Sequence, residues 1–304
     1  MLASYDLGPV LGEGGMGRVV RARHRALGVD VAIKELSAPT PELVELLRDE
    51  ARILFALKHP AFPAVRDFFS DAGRFFLVMD LVPGLALSTM VAQHGALTPA
   101  ALDDLARGAL AALAHLHAAR IVHRDLKPAN IICDGDRVVL VDFGIARASA
   151  LTPRTMMWAR HALTPCFAPP EQYRGEPSSP AADLYALGAT LHFAASARIP
   201  PEAPQREVGP DALLDLARLR PDLPATLTSA VARCLVSGVG LELALETTRS
   251  EIVAVEVTAR GADPTGRRAG VDVATCAEAA IWDTPFEFDG ADHAASTFTI
   301  QAPR

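Results

Sequence analysis

The sequence predicts an α+β fold in two lobes: a small β-rich lobe with one key helix, then a larger, mainly helical lobe. Three features carry this expectation. Short runs rich in β-branched and other apolar residues recur as far as Leu81. Pro83-Gly84 then breaks the pattern. From Ala96 to Ala119 an Ala/Leu-rich run with helical spacing takes over. These features place the first lobe in residues 1–82 and the second in residues 83–245. Residues 246–304 form a tail with no assignable role.

Taken in order, Tyr5–Leu11 and Val19–Arg23 read as strands joined by Gly12-Glu13-Gly14-Gly15-Met16-Gly17. Val29–Leu36 is a third β-rich run. Thr40 then suits an N-cap, with Pro41 at the first helical position. The helix that follows sets Leu43, Leu47 and Leu54 on one face, and Glu50 falls on the same face. Arg74–Leu81 is again β-like. Within the compact stretch Ile121–Gly144, Asn130–Cys133 and Val138–Asp142 form a hairpin. A turn over residues 134–137 pairs positions summing to about 271, which sets Asn130 opposite Val141 and beside Asp142. Asp183–Ala197 reads as a buried helix. Farther on, Leu241–Glu246 suits a helix, Ile252–Val257 a strand and Ala262–Gly270 a linker. There is no internal repeat or low-complexity tract.

Composition narrows the function. Half of the 304 residues are hydrophobic and 21% are charged, enough for a packed core and unlike a disordered chain. Lys and Arg total 29 against 36 Asp and Glu, a net charge of −7, so the basic footprint of a nucleic-acid binder is missing. Cys133, Cys166, Cys234 and Cys276 are far apart and form no CxxC pair, which disfavours a disulfide framework or zinc site. The start Met1-Leu-Ala-Ser-Tyr-Asp6 lacks a basic-then-apolar signal. No uncharged apolar run of about 18 residues appears. The expectation is a cytoplasmic protein without a membrane span.

Three motifs carry chemistry. Glycines at Gly12, Gly14 and Gly17 let backbone amides approach phosphate oxygens without Cβ clashes. Alone they also suit a flexible hairpin. Because Val19-Val20-Arg21-Ala22 continues as strand, a dinucleotide-binding strand–turn–helix is disfavoured. In Val31-Ala32-Ile33-Lys34, a lysine inside an apolar run needs a partner unless it reaches solvent, and Glu50 on an inward helix face supplies one. The third motif is His123-Arg124-Asp125-Leu126-Lys127-Pro128-Ala129-Asn130 with Asp142-Phe143-Gly144. The amide of Asn130 and carboxylate of Asp142, at the open end of one hairpin, suit Mg²⁺, which prefers oxygen ligands.

These residues, in this order, resemble the eukaryotic-type (Hanks-type) bacterial serine/threonine protein kinases from about Tyr5 to Val236. Pro169-Pro170-Glu171 stands where the family has Ala-Pro-Glu, and Asp183-Leu-Tyr-Ala-Leu-Gly188 looks like the family's buried helix, whose aspartate braces the catalytic loop. The resemblance implies a protein-kinase-like fold, the cofactors ATP and Mg²⁺, and transfer of the γ-phosphoryl group to Ser/Thr hydroxyls of proteins. By motif position, Gly12, Gly14 and Gly17 would cover the phosphates. Lys34, held by Glu50, would bind the α- and β-phosphates. Asp125 would be the base, Lys127 would steady the transferred group, and Asn130 and Asp142 would hold the metal. The adenine would lie between Leu11, Val19 and Ala32 above and Ile132 below, with Met79 as gatekeeper and Asp80–Val82 as hinge.

Arg124 would pair with a phosphate on the activation segment, for which Thr152 and Thr155 are the candidates; Thr164 would contact the catalytic loop. Autophosphorylation through self-association is implied. Leu163 replaces a family glycine and Pro169 replaces an alanine. Glu242 stands near the position of the arginine that pairs with the residue equivalent to Glu171. That last departure makes a pseudokinase, acting as a nucleotide-binding or scaffold module, the alternative. His115 and His117 read as surface residues of an Ala/Leu helix, and His59 as a helix-end residue.

Overall fold

The computed structural model describes residues 1–14, 17–36, 48, 51–135, 137–142, 164–208, 215–235, 240–248, 251–260 and 298–300; for the last three segments only the backbone is described. Strands β1 (Tyr5–Gly14), β2 (Gly17–His24), β3 (Asp30–Leu36), β4 (Val65–Asp71) and β5 (Arg74–Asp80) form one antiparallel sheet in the order β1-β2-β3-β5-β4. β1 and β2 run farther than the sequence suggests and end with Gly14 opposite Gly17. The glycine motif is therefore mostly ladder. β4 was not foreseen, because Val65–Asp71 carries Arg66, Asp67 and Ser70 among its apolar residues. The helix foreseen from Thr40 and Pro41, with Leu43, Leu47 and Glu50, lies outside the described residues apart from its end, α1, at residues 51–56.

The period-two alternation of strands gives the sheet two jobs. Val20, Ala22, Val31, Ile33, Phe69, Phe76 and Val78 pack into a small outer core. Pairing puts Val19 opposite Lys34, Lys34 opposite Leu77 and Ala32 opposite Met79. Val19, Ala32, Lys34 and Met79 therefore share the other face, which looks onto the second lobe.

The second lobe begins with β6 (Leu85–Ala86), α2 (Leu87–His94) and α3 (Pro99–Ala118). Thr98 caps α3 by accepting from the Ala101 amide at 3.3 Å, and Pro99 occupies the first turn, where its missing N–H costs nothing. β7 (Ile131–Asp134) and β8 (Arg137–Leu140) follow, then α4 (Pro170–Arg174), α5 (Pro180–Ser196), α6 (Ala203–Val208), α7 (Leu216–Leu219) and α8 (Ala225–Cys234). α5 is apolar on nearly every side and is the helix around which the lobe packs, with thirteen of its residues buried. Strands β9 (Gly240–Thr248), β10 (Glu251–Arg260) and β11 (Phe298–Ile300) form a separate antiparallel sheet in the order β10-β9-β11. Leu241–Glu246 is thus strand and not helix. Its alternation of Leu241, Leu243 and Leu245 with Glu242, Ala244 and Glu246 has period two, which a helical reading overlooks.

The β7–β8 hairpin pairs Ile131 with Leu140 and Cys133 with Val138, the register expected from the turn. It lies against α3 at Gly108, where an added Cβ would come within 2.6 Å of the Val138 side chain. Leu140 donates to the Ala61 carbonyl at 2.9 Å, and Arg137 to that of Pro60 at 2.7 Å. The hairpin is therefore fixed to a helix and to the loop leading into β4. Gly108→Val should overpack this contact and cost about 1–3 kcal/mol, measured as a lowered denaturant midpoint with unchanged slope.

Candidate active site

Asp183, on the first turn of α5, is fully buried. Its carboxylate accepts from the amides of His123 and Arg124, each at 2.8 Å, and pairs with His117 Nε2 at 2.8 Å. An ionised carboxylate only accepts, so Nε2 carries the proton in this pair. His117 is therefore no surface residue: its side chain is 5% exposed and turned inward from α3. His115 is half-buried, with its ring stacked on that of His59 at 4.4 Å. Neither histidine could be placed from sequence, because Asp183 lies 66 residues from His117 and an Ala/Leu helix hides which face is inward.

The loop braced in this way carries Arg124, Asp125 and Lys127. Arg124 has a φ of +66°, a region costly for a residue with a side chain. Asp183 on its amide and Gln172, donating to its carbonyl at 3.0 Å, hold it there. Gln172 was not singled out in the sequence. Asp125 follows, largely buried. Its Oδ2 accepts from Lys127 Nζ at 2.8 Å and from Asn130 Nδ2 at 3.2 Å, and its Oδ1 accepts from the Thr164 hydroxyl at 2.9 Å. Lys127 also donates to Thr164 Oγ1 at 2.9 Å. Asn130 Nδ2 donates to the Asp125 carbonyl at 2.8 Å, which leaves its amide oxygen for another partner. Burial pushes the His123 ring below its ordinary pKa, so it stays neutral beneath the loop.

Across the cleft, Lys34 from β3 pairs with Asp142, just beyond β8. Asp142 has φ +57°, a left-handed turn that short acidic side chains tolerate. Burial acts to raise its carboxyl pKa, and the Lys34 ammonium more than offsets this, so the group lies below the usual carboxylate range. The cleft thus brings together Lys34, Asp125, Lys127, Asn130, Asp142 and Thr164 from both lobes. Ala32 is buried, Val19, Met79, Asp80, Val82 and Ile132 are half-buried, and Leu11 is exposed at the rim. Glu50, Thr152 and Thr155 lie outside the described residues. No basic side chain bridges Glu171 among the described residues, and its pKa is raised, chiefly by burial. The donor set of Asn130 amide oxygen and Asp142 carboxylate fits a hard divalent cation such as Mg²⁺.

The chain belongs to the protein kinase domain family, whose model matches residues 5–216. It is 37% identical over 205 residues to a probable serine/threonine-protein kinase of Streptomyces coelicolor, covering 64% of this chain and 30% of that one. It is 37% identical over 205 residues to the serine/threonine-protein kinase PknA of Mycobacterium tuberculosis, covering 64% and 47% of the two chains. For PknB of the same organism the figures are 38% over 197 residues, 62% and 32%. The chain thus matches a third to a half of the length of these curated relatives. Among solved structures it is similar to the apo form of PpkA-294, with a TM-score of 0.61, 27% identity, and 77% and 90% of the chains covered. The fold is also shared by Rad53 1–466 in complex with AMP-PNP, with a TM-score of 0.63, 24% identity, and 77% and 61% covered.

The Lys34–Asp142 pair gives a signed pH effect. A carboxyl with a depressed pKa stabilises the fold above its unfolded value, about 3.9, and that contribution is lost as pH falls through the folded value. In Lys34→Met, Asp142 loses its main counter-charge and its pKa rises. The variant should melt below the wild type at pH 7. The gap should narrow as pH falls from about 6 to 4, read by calorimetry.

Proposed function

We propose that this chain is a Mg-ATP-dependent serine/threonine protein kinase that works in the cytoplasm on protein substrates and on itself. In this reading residues 1–82 and 83–245 are the two lobes of the kinase domain, and 246–304 are a tail. The observation that carries it is Asp125, buried at the cleft floor with its carboxylate held by Lys127, Asn130 and Thr164. Curated relatives named serine/threonine-protein kinases support the enzyme over the scaffold alternative.

Asp125 accepts the proton of the substrate hydroxyl as its oxygen bonds to the γ-phosphorus and the bond to the β–γ bridging oxygen breaks, releasing ADP. Lys127 faces the developing charge. Lys34 gives its ammonium to the α- and β-phosphates, with Glu50 as its other partner, and Gly12, Gly14 and Gly17 bring backbone amides over them. Leu11, Val19, Ala32, Met79 and Ile132 enclose the base, which meets the chain at Asp80–Val82. Asn130 and Asp142 would hold Mg²⁺, which would neutralise phosphate charge. Positioning and charge neutralisation supply most of such catalysis. No helix among the described residues is long and apolar enough to cross a membrane.

Arg124 supports a regulatory role: its Nε is buried without a hydrogen-bond partner among the described residues. Phosphorylation of Thr152 or Thr155, one copy acting on another, would give it a counter-charge. Incubation with labelled ATP and Mg²⁺ tests the function. The wild type should label itself and a Ser/Thr peptide, and Asp125→Asn should lower the rate about 10²–10⁴-fold with melting temperature retained. Equal incorporation by both proteins would dismiss catalysis by this site.

A further inference from the structure

β4 and β5 pair with Val65 opposite Met79 and Asp67 opposite Val78, so Arg66 is an extra residue in β4. Such a bulge leaves its residue outside the ladder and re-aims the side chain. Here the side chain crosses to the end of β5. Arg66 Nε donates to Asp80 Oδ1 at 2.5 Å and Nη2 to Oδ2 at 2.9 Å, so the planar fork meets both carboxylate oxygens. Just ahead of the bulge, the Ala64 carbonyl accepts from the Asp80 amide at 2.9 Å. The catalytic arrangement described above does not use Arg66.

The two side chains are 60% and 41% exposed, and an ion pair so open to water adds little to stability. Its position suggests another use. Asp80 is the last residue of β5 and the first of the stretch Asp80–Val82, where the base meets the chain. Period two turns Met79 to the cleft and sets Asp80, opposite Val31, on the outer face of the sheet. Asp80 therefore offers the base its backbone and not its carboxylate. An aspartate carboxylate that nothing holds turns back on its own chain and takes the amide two residues on, here that of Val82. An amide captured in this way is lost to an adenine, whose ring nitrogens are acceptors. The grip of Arg66 on both oxygens holds the carboxylate to the outer face instead.

We propose that Arg66 is a positioning residue for ATP: by holding the Asp80 carboxylate on the outer face of the sheet, it keeps the Val82 amide open to the adenine. The proposal rests on the kinase reading above. Arg66 touches no substrate and acts only through Asp80. The bulge lets β4 give a residue to this task while Phe68 and Phe69 keep their pairing with Leu77 and Phe76.

The test uses the full chain, a Ser/Thr peptide, labelled ATP and Mg²⁺. Arg66→Met keeps an aliphatic stem and removes the fork. Its KM for ATP should rise about fivefold, the size of one hydrogen bond, with kcat within about twofold of the wild type. Adenosine and tripolyphosphate, used as competitive inhibitors, separate the two ends of the nucleotide. Adenosine should inhibit Arg66→Met about fivefold more weakly than the wild type, and tripolyphosphate should inhibit both alike. Arg66→Lys, with a point charge in place of the fork, should fall between the two. Adding Asp80→Ala to Arg66→Met removes the competing carboxylate and should bring KM back toward the wild-type value. An unchanged KM in Arg66→Met would overturn the proposal. So would a double variant no better than Arg66→Met, or a loss shared equally by adenosine and tripolyphosphate. Absence of any incorporation by the wild type would overturn the kinase reading and this proposal together.

Discussion

The buried carboxylate of Asp183 is the constraint on which the rest of the site depends. One side chain, without solvent, takes two backbone amides and one imidazole. The loop it holds contains a residue in left-handed conformation, which would relax to an ordinary one without that anchor. Leaving buried amides unsatisfied costs about 1–3 kcal/mol each, so the loop has one stable shape while Asp183 is present. Asp125 sits on this loop, with Thr164, 39 residues along the chain, as one of its partners. Its direction follows from the backbone and from the Lys127, Asn130 and Thr164 contacts.

The two lobes contribute in different ways. The first supplies a face: strand register alone aligns Val19, Ala32, Lys34 and Met79, and no loop needs to place them. The second supplies points: single residues in loops and turns, held by hydrogen bonds among themselves and, at Arg124, to α4 and α5. Lys34–Asp142 joins the face to the points. A buried ammonium without a partner would be costly, so this pair links the position of β3 to that of the turn after β8.

Much of this was legible in the chain. The two-lobed organisation follows from the change of hydrophobic period near Pro83-Gly84, and the hairpin register follows from the turn at residues 134–137, since both are local signals. Motif spacing found Asp125, Lys127, Asn130 and Asp142 because all four lie within one short stretch. His117 and Gln172 were not legible, because their meaning comes from partners far along the chain. An Ala/Leu-rich helix such as α3 gives little contrast between its faces, so the inward histidine looked like surface. The strand β4 was hidden by its edge position, where Arg66 and Asp67 face solvent. The reading of Leu241–Glu246 as helix failed for a related reason: six residues of Leu, Glu and Ala favour helix by composition, while their order favours strand.

Gln172 fastens α4 to the carbonyl of Arg124, and Asp183 fastens the amide of the same residue to α5. One peptide unit and its neighbour are thus clamped from both sides, with the clamps drawn from beyond the segment that separates Asp142 from Thr164. Any substitution that shifts either helix therefore reaches the carboxylate of Asp125 through the backbone it shares with Arg124.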